Sequence, residues 1–68
     1  MEKMYRLKYQ GKWMKVKKIL GSCSHIYELL DNPSLIEPVG LLKAEAQRAL
    51  VSDDNEELDF HKIEIVEV

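Results

Sequence analysis

Four residues of this chain have the side chains that most often hold zinc or act as nucleophiles and bases. Cys23 and His25 are separated by one residue, and so are Asp59 and His61. Structural zinc sites use closed sets of Cys and His ligands, and this spacing matches no established arrangement. Cys23 and His25 would share one side of a strand, but nothing in the sequence marks an oxyanion hole beside them. The sequence therefore predicts no metal, no cofactor and no catalytic residue.

The second stretch with chemical potential is the acidic run DDNEE at 53–57. It lacks the alternation and the glycine of an EF-hand loop, so we do not expect it to bind calcium. A solvated loop is the simplest interpretation, and contact with a basic partner is the alternative.

The third stretch, KYQGKWMKVKK from Lys8 to Lys18, contains five of the ten basic residues and the single tryptophan. Alternation along two strands places a basic set around this tryptophan on the outer side of a hairpin. These candidate binding residues are Arg6, Lys8, Trp13, Lys15 and Lys17. Cations neutralise phosphates and aromatic rings stack on bases, so the set would suit a nucleic acid. Alternating lysines also protect exposed strands, and tryptophan is a frequent anchor at protein interfaces.

The distribution of charge is relevant to each of these interpretations. Residues 1–18 carry seven basic side chains and one acidic one, whereas residues 19–68 carry three basic and eleven acidic ones. Such segregation is typical of a binding surface, and the two halves could also neutralise each other across a sheet. The overall isoelectric point of about 5.6 disfavours a nucleic-acid-binding domain, which is usually strongly basic.

Length and composition favour a small domain without catalysis. A chain of 68 residues buries only roughly 60% of its unfolded surface, which leaves little core to support a pre-organised active site. The lone Cys23 excludes an internal disulfide and favours a reducing compartment. No apolar run approaches the roughly 20 residues that span a bilayer, and the charged N-terminus does not resemble a signal peptide. We therefore expect a cytoplasmic protein that is not an enzyme.

Alternating apolar residues predict a β-hairpin over 4–20, with Gln10 and Gly11 as its two-residue turn. Counting outward from this turn gives the expected register. The opposed pairs are Tyr9 with Lys12, Lys8 with Trp13, Leu7 with Met14, Arg6 with Lys15, and Tyr5 with Val16. A third strand is predicted over 25–30, where a helix is the competing interpretation.

The second half of the chain predicts one helix and a final strand. Over 41–51, Leu42, Ala46, Ala49 and Leu50 recur at helical spacing and form the expected core-facing side. Residues 58–67 are rich in Ile, Val and Phe, which favours a strand. Its apolar residues change parity along the strand, so we expect either a bulge near His61 or partial cover of both faces.

Together these elements predict a single α+β domain with the order β-β-β-α-β. A small antiparallel or mixed sheet would be crossed by one amphipathic helix. The segments YRLKYQGKWMKV, YELLDNPSLIEPV, AEAQRAL and IEIVEV follow one another along the chain. In this sequence of segments the chain resembles small uncharacterised proteins encoded by phages and prophages of Gram-positive bacteria. The resemblance implies a compact sheet with one helix and an accessory role in phage biology, and it implies no functional residues.

These observations lead to one functional expectation and one alternative. We expect a small non-catalytic protein, encoded by a phage or prophage, that modulates a host or phage protein by contact in the host cytoplasm. An acidic protein would suit the basic set, and a homodimer would form through the C-terminal strand or the Trp13 side of the hairpin. The alternative is a nucleic-acid-binding protein that uses the same side of the hairpin.

Overall fold

The structure is a computed structural model that describes residues 3–18, 25–54 and 57–68. Within these ranges, five strands form one antiparallel sheet and one α-helix packs against it, so the fold is a small α+β domain, as predicted. The strands are β1 (Met4–Tyr9), β2 (Lys12–Lys18), β3 (His25–Leu30), β4 (Val39–Gly40) and β5 (Ile63–Glu67), and the helix is α1 (Leu41–Asp54). Single 3-10 turns lie at Pro33–Leu35 and Phe60–Lys62.

β1 and β2 form the predicted hairpin around Gln10 and Gly11. Both turn residues have positive φ angles, 49° for Gln10 and 81° for Gly11. Two successive positive φ angles are typical of the type I′ turn, whose twist matches that of the two strands. The predicted register holds nearest the turn. The observed pairs are Tyr9 with Lys12, Lys8 with Trp13, and Leu7 with Met14.

The hairpin ladder is shorter than the sequence predicts. The expected pairs of Arg6 with Lys15 and Tyr5 with Val16 are wrong, because β4 pairs with the beginning of β1 instead. β5 pairs with the other edge of β1, along its residues 5–9. β4 therefore occupies the edge of β1 that β2 leaves, and the sheet is split between β1 and β2 at this end.

β4 was not predicted, because two residues are too short for alternation to show. Val39 lies opposite Tyr5, and Gly40 lies opposite Met4. β4 ends at Gly40 and α1 begins at the next residue, which agrees with the predicted place of Gly40 at the helix boundary. The helix is thus joined to the sheet without any intervening linker.

The predicted bounds of the third strand agree with the structure, whereas those of the last strand do not. β3 covers the predicted range 25–30 and pairs with β2, so the competing helix is wrong. β5 begins only at Ile63, because a 3-10 turn occupies the preceding residues. Asp59 begins this turn by accepting a hydrogen bond from the His61 backbone N–H at 3.1 Å. This 3-10 turn explains the change of parity before the strand. Neither a bulge near His61 nor partial cover of both faces explains it alone.

The core lies between α1 and one side of the sheet. Its buried members are Leu7, Tyr9, Met14, Ala44, Val51, Leu58 and Ile63. Tyr9 also accepts a hydrogen bond at its hydroxyl from the Asp59 backbone N–H, at 3.2 Å. This bond ties the end of β1 to the residues before β5.

The predicted core-facing side of α1 is wrong. Leu42 is 82% exposed and Leu50 is 41% exposed. Ala46 and Ala49, which lie between them on the same side, are exposed as well. This side of the helix therefore faces away from the sheet.

The side of α1 that packs against the sheet carries small or polar residues. Ala44 and Val51 are fully buried, and Gln47 and Arg48 are half-buried. Two physical causes favour this rotation. The sheet already supplies bulky core side chains, so a small residue such as Ala44 lets the helix approach closely. The direct junction with β4 also sets the rotation of the helix about its axis, whatever the apolar period of the sequence.

Candidate functional site

All five candidate binding residues lie on the side of the sheet opposite α1. Side chains alternate along a strand, so the neighbours of the buried Leu7, Tyr9 and Met14 point away from the core. We call this side the outer face. It carries the predicted Arg6, Lys8, Trp13, Lys15 and Lys17, and from neighbouring strands Ile26, Glu28, Leu30, Glu64 and Val66.

Trp13 lies in the middle of one row of side chains across the outer face. The row runs Leu30, Trp13, Lys8, Glu64, from β3 to β5. Trp13 is half-buried, and the Lys8 Nζ atom lies 5.2 Å from the centroid of its ring. A cation within about 6 Å of a tryptophan ring is attracted by its π electrons. The ring is thus partly covered by Lys8 and partly accessible.

Arg6 and Lys15 lie in the next row, where the sheet is split. Arg6 is opposite Val66 on β5, and Lys15 is opposite Glu28 on β3. The Arg6 Nε donates a hydrogen bond to the Ile36 carbonyl oxygen at 3.0 Å. Ile36 is buried but does not belong to the core cluster. This bond ties Arg6 on β1 to the segment between β3 and β4.

The split in the sheet leaves a cavity of about 250 Å³. Its lining includes the cations Arg6, Lys15 and Lys43, together with the carboxylate of Glu37. Its lining combines Arg6 and Lys15 of the outer face with Lys43 and Gln47 of α1. The sequence contained no signal for it, because it results from the exchange of β2 for β4 along β1.

Lys17 lies at the β3 side of the outer face and forms a salt bridge with Glu28. The hydrogen bond from Lys17 and its charge lower the pKa of the Glu28 carboxyl below its ordinary value, and the charge of Lys15 lowers it further. Likewise, Lys12 donates to Asp31 at 2.8 Å and lowers the pKa of that carboxyl. Both carboxyls are exposed, so we expect these pairs to add little to stability.

The charge pairing at Glu28 leads to a direct prediction for its titration. In Lys17→Gln we expect the pKa of Glu28 to rise toward its ordinary value, because the nearest charge and the charge-assisted hydrogen bond are both lost. In Lys15→Gln we expect a smaller rise, because only a weaker charge is lost. Carbon-13 NMR of the Glu28 carboxyl as a function of pH measures both changes.

The sign of the pH effect follows from the lowered pKa. The Lys17 pair stabilises the fold above the ordinary pKa of glutamate, and this contribution is lost as pH falls through the lowered pKa of Glu28. An equal rise of the Glu28 pKa in the two variants would contradict the observed pairing. Lys62→Gln, which changes an exposed lysine far along the chain, is the matched control.

The residues first examined as metal ligands have other roles or lie outside the described ranges. Asp59 begins the 3-10 turn before β5, and His61 is exposed with its ring at the edge of Phe60, 5.8 Å between centroids. Cys23 lies outside the described residues. Across residues 3–18, 25–54 and 57–68, no group of three or more His, Cys, Asp or Glu residues is placed to hold a metal ion. Asp53, at the start of the acidic run, belongs to α1 instead of a loop.

Comparisons with known proteins add no functional residue. No protein family, curated protein or solved structure matches the chain. Within the described ranges, no helix has the length and apolarity required to cross a bilayer. The candidate site therefore depends on the geometry of the outer face.

Proposed function

We propose that this protein is a small non-catalytic binding protein that contacts an acidic, partly apolar protein surface through its outer face. The observation that carries the proposal is the central row, in which Lys8 lies over the half-buried ring of Trp13. A flat aromatic ring supplies a large contact area, and the cation beside it supplies charge complementarity. Leu30 extends the apolar part of this row on the β3 side.

The charges of the outer face favour a protein over a nucleic acid. Two of its four cations are already bonded within the chain, since Arg6 donates to a backbone carbonyl and Lys17 pairs with Glu28. Neither Lys8 nor Lys15 forms a salt bridge in the described part of the chain. Lys8 and Lys15, with the carboxylates of Glu28 and Glu64 beside them, would attract a phosphate backbone only weakly.

A carboxylate-bearing protein segment fits this arrangement better. One carboxylate would pair with Lys8 and a second with Lys15, while an apolar side chain between them packs on Trp13. Aromatic anchors of this kind often contribute most of the binding free energy at an interface. The half-buried Val66 offers a further apolar contact on the β5 side of the face.

The proposal predicts binding of short peptides in which Glu alternates with Leu or Phe. We expect such peptides to quench or shift the fluorescence of Trp13, the only tryptophan, and peptides with Lys in place of Glu to have no effect. In Trp13→Ala we expect binding to be weakened at least roughly thirtyfold, the loss typical of an aromatic anchor. Isothermal titration calorimetry measures the affinity for both proteins.

Matched charge variants separate the outer face from general electrostatics. Lys8→Glu and Lys15→Glu are expected to abolish peptide binding, whereas Lys62→Glu, with the same change of net charge elsewhere on the surface, is expected to retain it. Equal losses in all three variants would refute a specific face. Binding of oligonucleotides that weakens steeply with the logarithm of salt concentration would instead support the nucleic-acid alternative.

We further propose that the protein functions in the cytoplasm of a bacterial host as the product of a phage or prophage. The support is the resemblance of its four segments to small phage proteins. The genes beside its coding sequence provide the test. Neighbours of structural or regulatory phage function would support this context, and a conserved metabolic operon would oppose it.

A further inference from the structure

The exposed side of α1 is the largest departure from the expected burial of apolar residues. Leu42 is 82% exposed, and Ala46, Ala49 and Leu50 continue the same side of the helix over about two and a half turns. This surface, the helix stripe, consists of these four residues. It lies on the far side of α1 from the sheet, so it is separate from the outer face.

The charges at the two ends of the helix stripe are opposite. Lys43 lies in the first turn of α1 beside Lys3, which borders the same depression. Asp53 lies in the last turn. A helix prefers acidic residues at its N-terminus and basic residues at its C-terminus, because its dipole is positive at the N-terminus. Each end of α1 thus carries the charge that its own dipole disfavours.

We propose that the helix stripe binds a second copy of this chain, with the two helices antiparallel. An antiparallel arrangement places the acidic end of each helix beside the basic end of the other, whereas a parallel one places like charges together. The same surface is used by both copies, as in a two-fold symmetric dimer. Both disfavoured helix ends gain a partner of opposite charge in this arrangement.

The spacing of the stripe is self-complementary in this orientation. With Ala46 opposite Ala46 of the second copy, Leu42 lies opposite Leu50 of the second copy. Small residues at the centre permit the helix axes to approach to about 8 Å. Leu42 and Gly40 border a shallow, mainly apolar depression that would receive the second copy's Leu50. Asp53 of the second copy then lies level with Val39, about one turn from Lys43.

The size of the stripe determines the expected strength of association. A stable interface usually buries about 800 Å² on each partner, and about two and a half turns of one helix offer less. We therefore expect a monomer–dimer equilibrium in the micromolar to millimolar range. The dimer would direct its two outer faces away from each other, so that it could engage two partner molecules or one partner twice.

Sedimentation equilibrium of the full chain tests the proposal. We expect concentration-dependent dimerisation of the wild type and a dissociation constant roughly tenfold to a hundredfold higher in Leu42→Glu, which removes an interfacial leucine. Leu35→Glu is the matched control, because Leu35 is also exposed, at 58%, but lies outside the helix. It is expected to leave the dissociation constant unchanged.

Charge reversal tests the orientation of the two helices. Lys43→Glu and Asp53→Lys are each expected to weaken the dimer, and the double variant is expected to restore it, since opposite charges meet again. Neither single variant should lower the melting temperature of the monomer, because each corrects a charge at a helix end. A wild type that stays monomeric at millimolar concentration overturns the proposal. So does a dimer that Leu42→Glu leaves intact, which would indicate pairing through the edge of β5.

Discussion

Met14→Ala is expected to unfold a large fraction of the protein at room temperature. Met14 is only 1% exposed and lies in the centre of the core, between Leu7 on β1 and the residues of α1. Replacing a buried methionine by alanine typically costs about 2–5 kcal/mol, since the transfer free energy is lost and a cavity remains. A core of this size rarely supplies more than about 3–5 kcal/mol in total. The substitution thus removes most or all of the stability.

Met4→Ala is the matched control for this experiment. Met4 is half-buried in β1, and its substitution leaves the core cluster unchanged. We expect a destabilisation below about 1.5 kcal/mol, because only part of the side chain is removed from contact. Urea denaturation followed by circular dichroism measures both free energies of unfolding. Similar losses for the two variants would mean that Met14 is not at the centre of the core.

The hairpin and the composition of the outer face could be predicted because they depend on local signals. Gln10-Gly11 specifies a two-residue turn, and the turn sets the register for the pairs beside it. Once the register is set, alternation assigns Lys8, Trp13 and Lys15 to one side of the sheet. The candidate site was therefore accessible from residues that are close in sequence.

The split in the sheet could not be predicted, because it depends on a contact between distant segments. Val39 and Gly40 compete with β2 for the beginning of β1, and no local pattern reveals which segment wins. For the same reason Glu28 and Val66 were not recognised as neighbours of the basic residues. Their places on the outer face follow from strand order, which alternation within a single strand does not determine.

The rotation of α1 could not be predicted because the helix has two apolar sides. Leu42 and Leu50 form the side with the larger residues, and Ala44 and Val51 form the other. Periodicity favours the larger set, since more apolar area would be buried. In the structure the short β4 and the bulky side chains of the sheet select the smaller set. The exposed side is then available for a partner, which periodicity alone cannot indicate.

A pair of identical substitutions distinguishes these two rotations. Ala44→Glu is expected to destabilise the protein by about 3–5 kcal/mol or more, because an unpaired charge would be buried against the sheet. Ala44 is 0% exposed, so the glutamate side chain would start within the interface between α1 and the sheet. Ala46→Glu is expected to change stability by less than about 0.5 kcal/mol, since Ala46 is exposed. If the side of α1 predicted from periodicity faced the core, Ala46→Glu would be the more destabilising of the two variants.

The two variants have the same composition and net charge and differ only in position along α1. Their helix propensities are therefore equal, and burial supplies the largest part of the difference in unfolding free energy. The measurement requires a low protein concentration, because Ala46 belongs to the proposed helix stripe and dimerisation would add apparent stability to the reference protein. Burial also raises the pKa of a carboxyl, so the penalty in Ala44→Glu should shrink as pH falls and the glutamate becomes neutral. A larger penalty for Ala46→Glu would show that the helix has the opposite rotation and that the helix stripe is buried. Pairing of two copies through α1 would then have no basis.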